Sequence, residues 1–272
     1  QAADGATLAW REDDFTDPWR PRETVLLLHG IGETGEAFRG WVPHLARRCR
    51  VVRADFRGYG ASSRLPAGAQ LSLETLAADT EALVAALGVA RVHVVGAKLG
   101  AQVALMLAQR KPPWLASLSL AGVLISPGDA LGAWVERWCA MVDEGGSRRW
   151  AEETMPGRMG GSFPAAAMEW WGSFMAEAPP ETVKACLRML PALREPARLE
   201  DIRCPTQVLV AVQPAAPGAF DQRQPVEEVR RWQQRIPGSR LCAVEADSYH
   251  IAASHPDACA RIVAEFIGGL ST

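Results

Sequence analysis

Long apolar runs are missing from this 272-residue sequence, and none approaches the roughly 20 residues that a membrane-spanning helix needs. The first thirty residues are too acidic and too interrupted for a secretory signal peptide. A surplus of one charge is also missing, because 29 basic and 31 acidic side chains leave a net charge of -2. That balance argues against a nucleic-acid partner. We therefore expect a soluble, cytoplasmic monomer or homodimer with no membrane partner, which binds a small uncharged or mildly polar molecule.

Paired cysteine spacing is absent as well. The six cysteines follow no disulfide or metal-site pattern, and several lie in apolar segments typical of strands or helices. We therefore expect reduced structural thiols, no bound metal and no cofactor. The cysteines are Cys49, Cys139, Cys186, Cys204, Cys242 and Cys259.

Strand-like and helix-like segments alternate along most of the chain. Residues 24–28 and 92–95 read as buried strands, and the apolar spacing of residues 73–87 predicts an amphipathic helix. A further helix is predicted over residues 36–48. This alternation predicts an α/β fold in which helices cover both faces of a mostly parallel sheet.

Strand signals disappear between about residues 127 and 200, where a helical, tryptophan-rich stretch takes their place. We interpret residues 127–200 as a helical cap inserted into a sheet domain formed by residues 1–126 and 201–272. The cap tryptophans Trp134, Trp138 and Trp170 are candidates for lining a substrate pocket. Their other role would be to seal the cap against the sheet domain.

A five-residue turn, Gly96-Ala97-Lys98-Leu99-Gly100, lies between the strand at 92–95 and an almost entirely apolar helix. Glycine at both ends permits a strained, close turn, and such a turn holds its middle side chain up at the carboxyl edge of the sheet. The middle side chain here is Lys98. The pattern is that of a nucleophile elbow whose nucleophile position carries an amine.

Three other landmarks accompany the elbow: residues 29–32 (His-Gly-Ile-Gly), residues 55–60 (Asp-Phe-Arg-Gly-Tyr-Gly) and the pair Tyr249-His250. With these four landmarks in order, the chain resembles the α/β-hydrolase family, and within it the enol-lactone hydrolases and related small esterases. The resemblance covers nearly the whole chain and implies the α/β-hydrolase fold.

The resemblance also implies roles for particular residues. Lys98 stands where the family has its nucleophilic serine, and His250 stands at the position of the general base. The backbone N–H groups of Ile31 and Leu99 would form the oxyanion hole, as the family's corresponding groups do.

The acid of the family's triad is missing from its usual place. The family has a glycine after the penultimate strand and an aspartate three positions later, but this sequence has Ala211 and Pro214 there. Asp221, on a proline-rich loop, and Asp129, after the strand that ends near Ile125, are equally good candidates for the acid.

Lysine changes the chemistry that the elbow supports. A serine forms an ester that water cleaves readily, whereas a lysine acylated by the same substrate would form a stable amide, so the chain is not a standard serine hydrolase. The start of the following helix and an apolar pocket both favour a neutral amine. A neutral Lys98 can form a Schiff base or act as a general base, which predicts a hydrolase or C–C lyase acting on a small carbonyl, ester or lactone compound. The alternative is a non-catalytic ligand-binding pseudoenzyme in which charged Lys98 pairs with Asp129 or Asp221.

Overall fold

Seven strands form one sheet in a computed structural model, which describes residues 1–66, 68–125, 131–194, 196, 198–214 and 223–270. Their order across the sheet is β1-β3-β2-β4-β5-β6-β7. Only β1 runs antiparallel to its neighbour, β3, and every other adjacent pair is parallel. The predicted mostly parallel sheet is confirmed. The strands are β1 (Trp10–Asp13), β2 (Glu23–Leu28), β3 (Cys49–Ala54), β4 (Val92–Ala97), β5 (Leu115–Ala121), β6 (Thr206–Ala211) and β7 (Arg240–Val244).

Helices cover both faces of this sheet, so its central strands are buried and carry near-continuous apolar sequence. All six residues of β4 are buried. The α-helices are α1 (Val42–Leu45), α2 (Leu73–Leu87), α3 (Leu99–Gln109), α4 (Leu131–Met159), α5 (Ala165–Ala176), α6 (Pro180–Met189), α7 (Val226–Gln233), α8 (Ile251–Ser254) and α9 (Pro256–Leu270). Helices of the 3₁₀ type cover Gly35–Trp41, Leu190–Ala192 and Leu199–Asp201.

The helix predicted over residues 36–48 is wrong as one element. A 3₁₀ helix covers Gly35–Trp41, and the single turn α1 follows it. Pro43 explains the break, because proline has no N–H to donate and is tolerated only in the first turn of a helix. The helix predicted over residues 73–87, in contrast, is α2 with the same bounds.

Three helices, α4 to α6, lie between β5 and β6 along the chain, and α4 packs against both α5 and α6. Trp150 of α4 is fully buried and reaches the loop after β2, where a Cβ added to Gly32 would lie 2.8 Å from its ring. These helices fall within the stretch for which a cap is predicted. The cap bounds at 127 and 200 stay a prediction.

Among the described residues, no helix is both long and apolar enough to cross a membrane. All six cysteines fall within the described ranges, and all are free thiols. The same ranges hold no cluster of three or more His, Cys, Asp or Glu side chains that could ligate a metal ion.

Candidate active site

Lys98 lies at the junction of β4 and α3 with a backbone that non-glycine residues rarely adopt, φ 54° and ψ -111°. Its N–H donates to the carbonyl of Ala121 on β5 at 3.0 Å, and its own carbonyl accepts from Ala101 and Gln102 in the first turn of α3. These bonds hold the strained turn in place. Lys98 thus projects from the carboxyl edge of the sheet.

The two elbow glycines permit a close approach of backbone to backbone. A Cβ at Gly100 would lie 2.0 Å from the carbonyl oxygen of Leu28, and one at Gly96 would lie 2.3 Å from the carbonyl oxygen of Gly100. No side chain fits at these distances. The Gly100 N–H also donates to the carbonyl of His29 at 3.0 Å, so α3 and the end of β2 are locked together.

The Lys98 amine is buried, and the described residues offer it no polar partner. The residue is 6% exposed, and among the described residues Nζ has neither a hydrogen bond nor a carboxylate within 4.0 Å. It faces the ring of Tyr249, 4.6 Å from the ring centroid. Burial, reinforced by the nearby charge of Arg158 and opposed by that of Glu33, lowers the pKa of Lys98 to about 7. Near neutral pH a large fraction of this amine is therefore unprotonated.

His250 pairs with a carboxylate that the sequence analysis did not predict, that of Glu33. Its Nε2 lies 2.7 Å from Glu33 Oε1, and the Gly30 N–H donates to the other carboxylate oxygen at 3.0 Å. The Glu33 side chain is fully buried. Burial alone would raise its pKa, but the charge and hydrogen bond of His250, with the charges of Lys98 and His29, lower the pKa of Glu33 to about 2. Glu33 therefore remains a carboxylate.

The ring of His250 is oriented by this pair. Burial lowers the pKa of His250, which favours the neutral ring near neutral pH. A neutral ring that donates its Nε2 proton to Glu33 carries a free lone pair on Nδ1. Nδ1 is buried and has no hydrogen-bond partner among the described residues. The arrangement provides an oriented base with one unused acceptor.

The remaining predictions concern the two oxyanion-hole residues and the two candidate acids. Ile31 follows the end of β2 and Leu99 begins α3, and within the described ranges neither N–H donates to a protein acceptor. Their role as an oxyanion hole stays a prediction. Asp129 and Asp221, the candidate acids, lie outside the described residues.

The three tryptophans predicted to line a pocket do not surround the cleft beside Glu33. That cleft has a volume of about 420 Å³, and its lining includes Gly32, Glu33 and Phe174 but none of the three. Trp138 is buried and contacts Trp134, with ring centroids 6.2 Å apart. Trp170 is 37% exposed and stacks on Phe174. Their predicted contact with a substrate remains untested.

Two residues of the candidate site, Glu33 and Arg158, were not predicted from the sequence. Glu33 directly follows the His-Gly-Ile-Gly motif, and that position was the available signal, although Glu33 and His250 lie 217 positions apart. Arg158, at the end of α4, gave no signal. It belongs to a long helical stretch with three other arginines.

A family model described as alpha/beta hydrolase fold matches residues 23–178, more than half of the chain. The chain therefore belongs to the alpha/beta hydrolase fold family. The sheet order and the elbow geometry described above agree with this assignment.

Among curated proteins, the chain is similar to one from Klebsiella pneumoniae named carbamate hydrolase RutD. The two are 28% identical over 237 residues, which cover 82% of this chain and 83% of that protein. A second relative is the magnesium-chelatase 30 kDa subunit of Rhodobacter capsulatus, 39% identical over 88 residues. That match covers 32% of this chain and only 31% of the subunit.

Among solved structures, the enol-lactonase of Burkholderia xenovorans LB400 superposes with a TM-score of 0.82. The match covers 97% of this chain and 98% of the enol-lactonase, at 20% sequence identity. At that identity the likeness concerns the fold.

Proposed function

We propose that this protein is an enzyme that forms a Schiff base between Lys98 and a small carbonyl compound. In this proposal Lys98 stands where serine-dependent members of the family carry their nucleophile. The reaction is a retro-aldol cleavage of the C–C bond between the α and β carbons of that compound.

One observation carries the proposal: the Lys98 amine is buried at the tip of the elbow, without a counterion among the described residues, and its pKa is about 7. Amine nucleophiles need the neutral form, and desolvation is the usual means of obtaining it. The chain has only three lysines. The other two, Lys111 and Lys184, form ion pairs with carboxylates.

The proposed chemistry begins when the lone pair of Lys98 Nζ attacks the carbonyl carbon. The C=O π electrons move to oxygen, which takes up a proton, and the resulting carbinolamine loses that oxygen as water. A hydroxyl on the β carbon then gives its proton to His250 Nδ1, and the electron pair of the breaking Cα–Cβ bond moves to the protonated imine, which becomes an enamine. The β carbon leaves as the carbonyl carbon of an aldehyde or ketone. Protonation at carbon and addition of water return the free amine and a shortened carbonyl product.

Neighbouring groups support these steps. The free Nδ1 of His250 can take the proton that the attacking amine loses and return it to the departing oxygen. Glu33 holds the ring in the required tautomer. The N–H groups of Ile31 and Leu99 would donate hydrogen bonds to the carbonyl oxygen of the substrate as it becomes negatively charged. An ester substrate, in contrast, would leave a stable amide on Lys98.

Reductive trapping tests the proposal. The protein is incubated with small aldehydes, ketones and oxo acids in the presence of sodium cyanoborohydride, and the modified lysine is located by peptide mass spectrometry. We expect a reduced adduct on Lys98 that greatly exceeds any on Lys111 or Lys184, which serve as internal controls. Lys98→Met should lose the adduct while remaining folded.

The second candidate function is the ligand-binding pseudoenzyme. Lys98 and His250 are only 6% and 2% exposed, which favours a sealed site. This candidate predicts no adduct on Lys98 with any carbonyl compound and no turnover that Lys98→Met removes. Lactone hydrolysis that depends on Lys98 but leaves no adduct would contradict both candidates and support a general-base role.

A further inference from the structure

Arg158 is a second buried cation in the site. It is 4% exposed and lies in the last turn of α4, where its Nε donates to Thr154 Oγ1 at 3.0 Å. Its guanidinium lies over the ring of Trp150, 4.5 Å from the ring centroid. Within the described part of the chain, no carboxylate oxygen comes within 4.0 Å of it.

This guanidinium belongs to the Lys98 site and not to a separate cluster. The carbonyl of Arg158 accepts the backbone N–H of His250 at 2.9 Å, so the end of α4 rests on the histidine loop. The charge of Arg158 also contributes to the lowered pKa of both Lys98 and His250. The positive charge of Arg158 therefore acts on both Lys98 and His250.

Burial removes hydration from the Arg158 guanidinium, and the hydrogen bond to Thr154 and the contact with the Trp150 ring replace only part of it. Arginine remains charged at all ordinary pH values, so neutralisation does not relieve this cost. Its planar donors match a carboxylate in a two-bond geometry. The guanidinium of Arg158 is therefore suited to bind a carboxylate of a ligand.

Charge balance during the proposed reaction leads to the same conclusion. In the free site the anion Glu33 offsets the cation Arg158, with Lys98 neutral. Imine formation on Lys98 adds one positive charge to a buried site, where an uncompensated charge is strongly disfavoured. A carboxylate on the substrate would restore the balance.

We propose that Arg158 binds the carboxylate of the substrate, and that the substrate is a small oxo acid whose ketone or aldehyde carbon reacts with Lys98. This inference rests on the proposed function. An ion pair with Arg158 stabilises the carboxylate and opposes its loss as CO₂, so the bond that breaks is a different C–C bond and the carboxylate is retained. An oxo acid carries a negative charge, unlike the uncharged or mildly polar ligand expected from the net charge of the whole chain.

Matched pairs of oxo acids and their methyl esters test this inference, for example pyruvate and 4-oxopentanoate with the corresponding esters. Each pair presents the same ketone with and without the negative charge. In the unmodified protein, reductive trapping on Lys98 should be about tenfold or more faster with the acid. The ratio should fall to about one in Arg158→Met. Arg148→Met, at an exposed position of the same helix, should keep the preference.

The outcomes separate the two proposals. Equal trapping of acid and ester by the unmodified protein overturns the role of Arg158 and leaves the Schiff base intact. Absence of any adduct overturns the Schiff base, and the role of Arg158 then depends on pentanoate, which has no ketone. Thermal stabilisation by pentanoate that is lost in Arg158→Met and reduced in Arg158→Lys supports the carboxylate site, and absence of stabilisation in the unmodified protein overturns it.

Discussion

The three lysines show how environment decides what a side chain does. Lys184 lies 2.6 Å from an Asp143 oxygen and 2.8 Å from a Glu181 oxygen, and these hydrogen bonds raise its pKa. Lys98 has no such partner among the described residues, and burial lowers its pKa to about 7. The protein therefore bears a desolvation cost at Lys98 that an apolar side chain would avoid.

Replacing Lys98 with methionine should stabilise the fold at low pH. The pKa of Lys98 is about 7 when folded and near 10.5 when unfolded, so below pH 7 both states bind the proton and the full cost of burying the charge is present. We expect Lys98→Met to raise the free energy of unfolding at pH 6 by up to about 5 kcal/mol. The unfolded chain binds more protons between pH 7 and 10.5, so the gain should shrink there and be absent above that range.

Denaturant unfolding at several pH values, with the unmodified protein and Lys98→Met measured side by side, provides the data. Lys111→Met is the control, because it removes an exposed lysine that is paired with Asp201. If Lys98→Met instead destabilised the protein at every pH, the amine would be an ion-paired structural cation.

The pairing of Glu33 with His250 joins one residue that the sequence singled out to one that it did not. The position of His250 follows from a local motif, but its acid comes from a loop more than two hundred positions away. The candidates Asp129 and Asp221 both follow strands, near the places where the family resemblance implies an acid. Glu33, on the loop after β2, supplies the carboxylate that pairs with His250. The spacing of residues along the sequence does not predict a contact between segments so far apart.

At the level of elements, the elbow is a strand, a strained turn and a helix held by backbone contacts. Its glycines follow from geometry, since Gly100 packs directly on the carbonyl of Leu28. The sequence predicted this element well because its glycine spacing, flanking strand and apolar helix are all local signals. The single helix predicted over residues 36–48 was wrong because Pro43 divides the segment into a 3₁₀ helix and the short α1.

Gly100→Ala should disrupt the elbow. The new Cβ would lie 2.0 Å from a backbone oxygen, so α3 must move away from β2, and we expect a loss of more than about 3 kcal/mol of folding free energy. Gly172→Ala is the matched control, because Gly172 lies in α5 with no atom within 4 Å of an added Cβ. Alanine there should stabilise the helix by about 0.5–1 kcal/mol.

Thermal unfolding of the two variants provides the comparison. Equal melting temperatures for Gly100→Ala and the unmodified protein would mean that the close approach at Leu28 is not required by the fold.

At the level of the whole molecule, four separate segments converge on one point. Glu33 follows β2, Lys98 follows β4, His250 follows β7, and Arg158 comes from the end of α4. Parallel strands place their carboxyl ends at one edge of the sheet, so the meeting of Lys98 with the histidine loop could be predicted from the strand pattern. The position of Arg158 at the site could not be predicted in this way. The packing of α4, which lies between β5 and β6 along the chain, follows from no comparable sequence pattern.

A pKa of about 7 for Lys98 leaves much of its amine neutral near pH 7, and an NMR titration of the lysine side chains measures that pKa. With lysine labelled at ¹³Cε, the chain should give three resonances, whose shifts report protonation without any added reagent. We predict that one resonance titrates near pH 7 and is missing from Lys98→Met, while that of Lys184 titrates above its usual value. Titration of all three resonances at or above the usual lysine value, near 10.4, would show that Lys98 is a charged amine at pH 7.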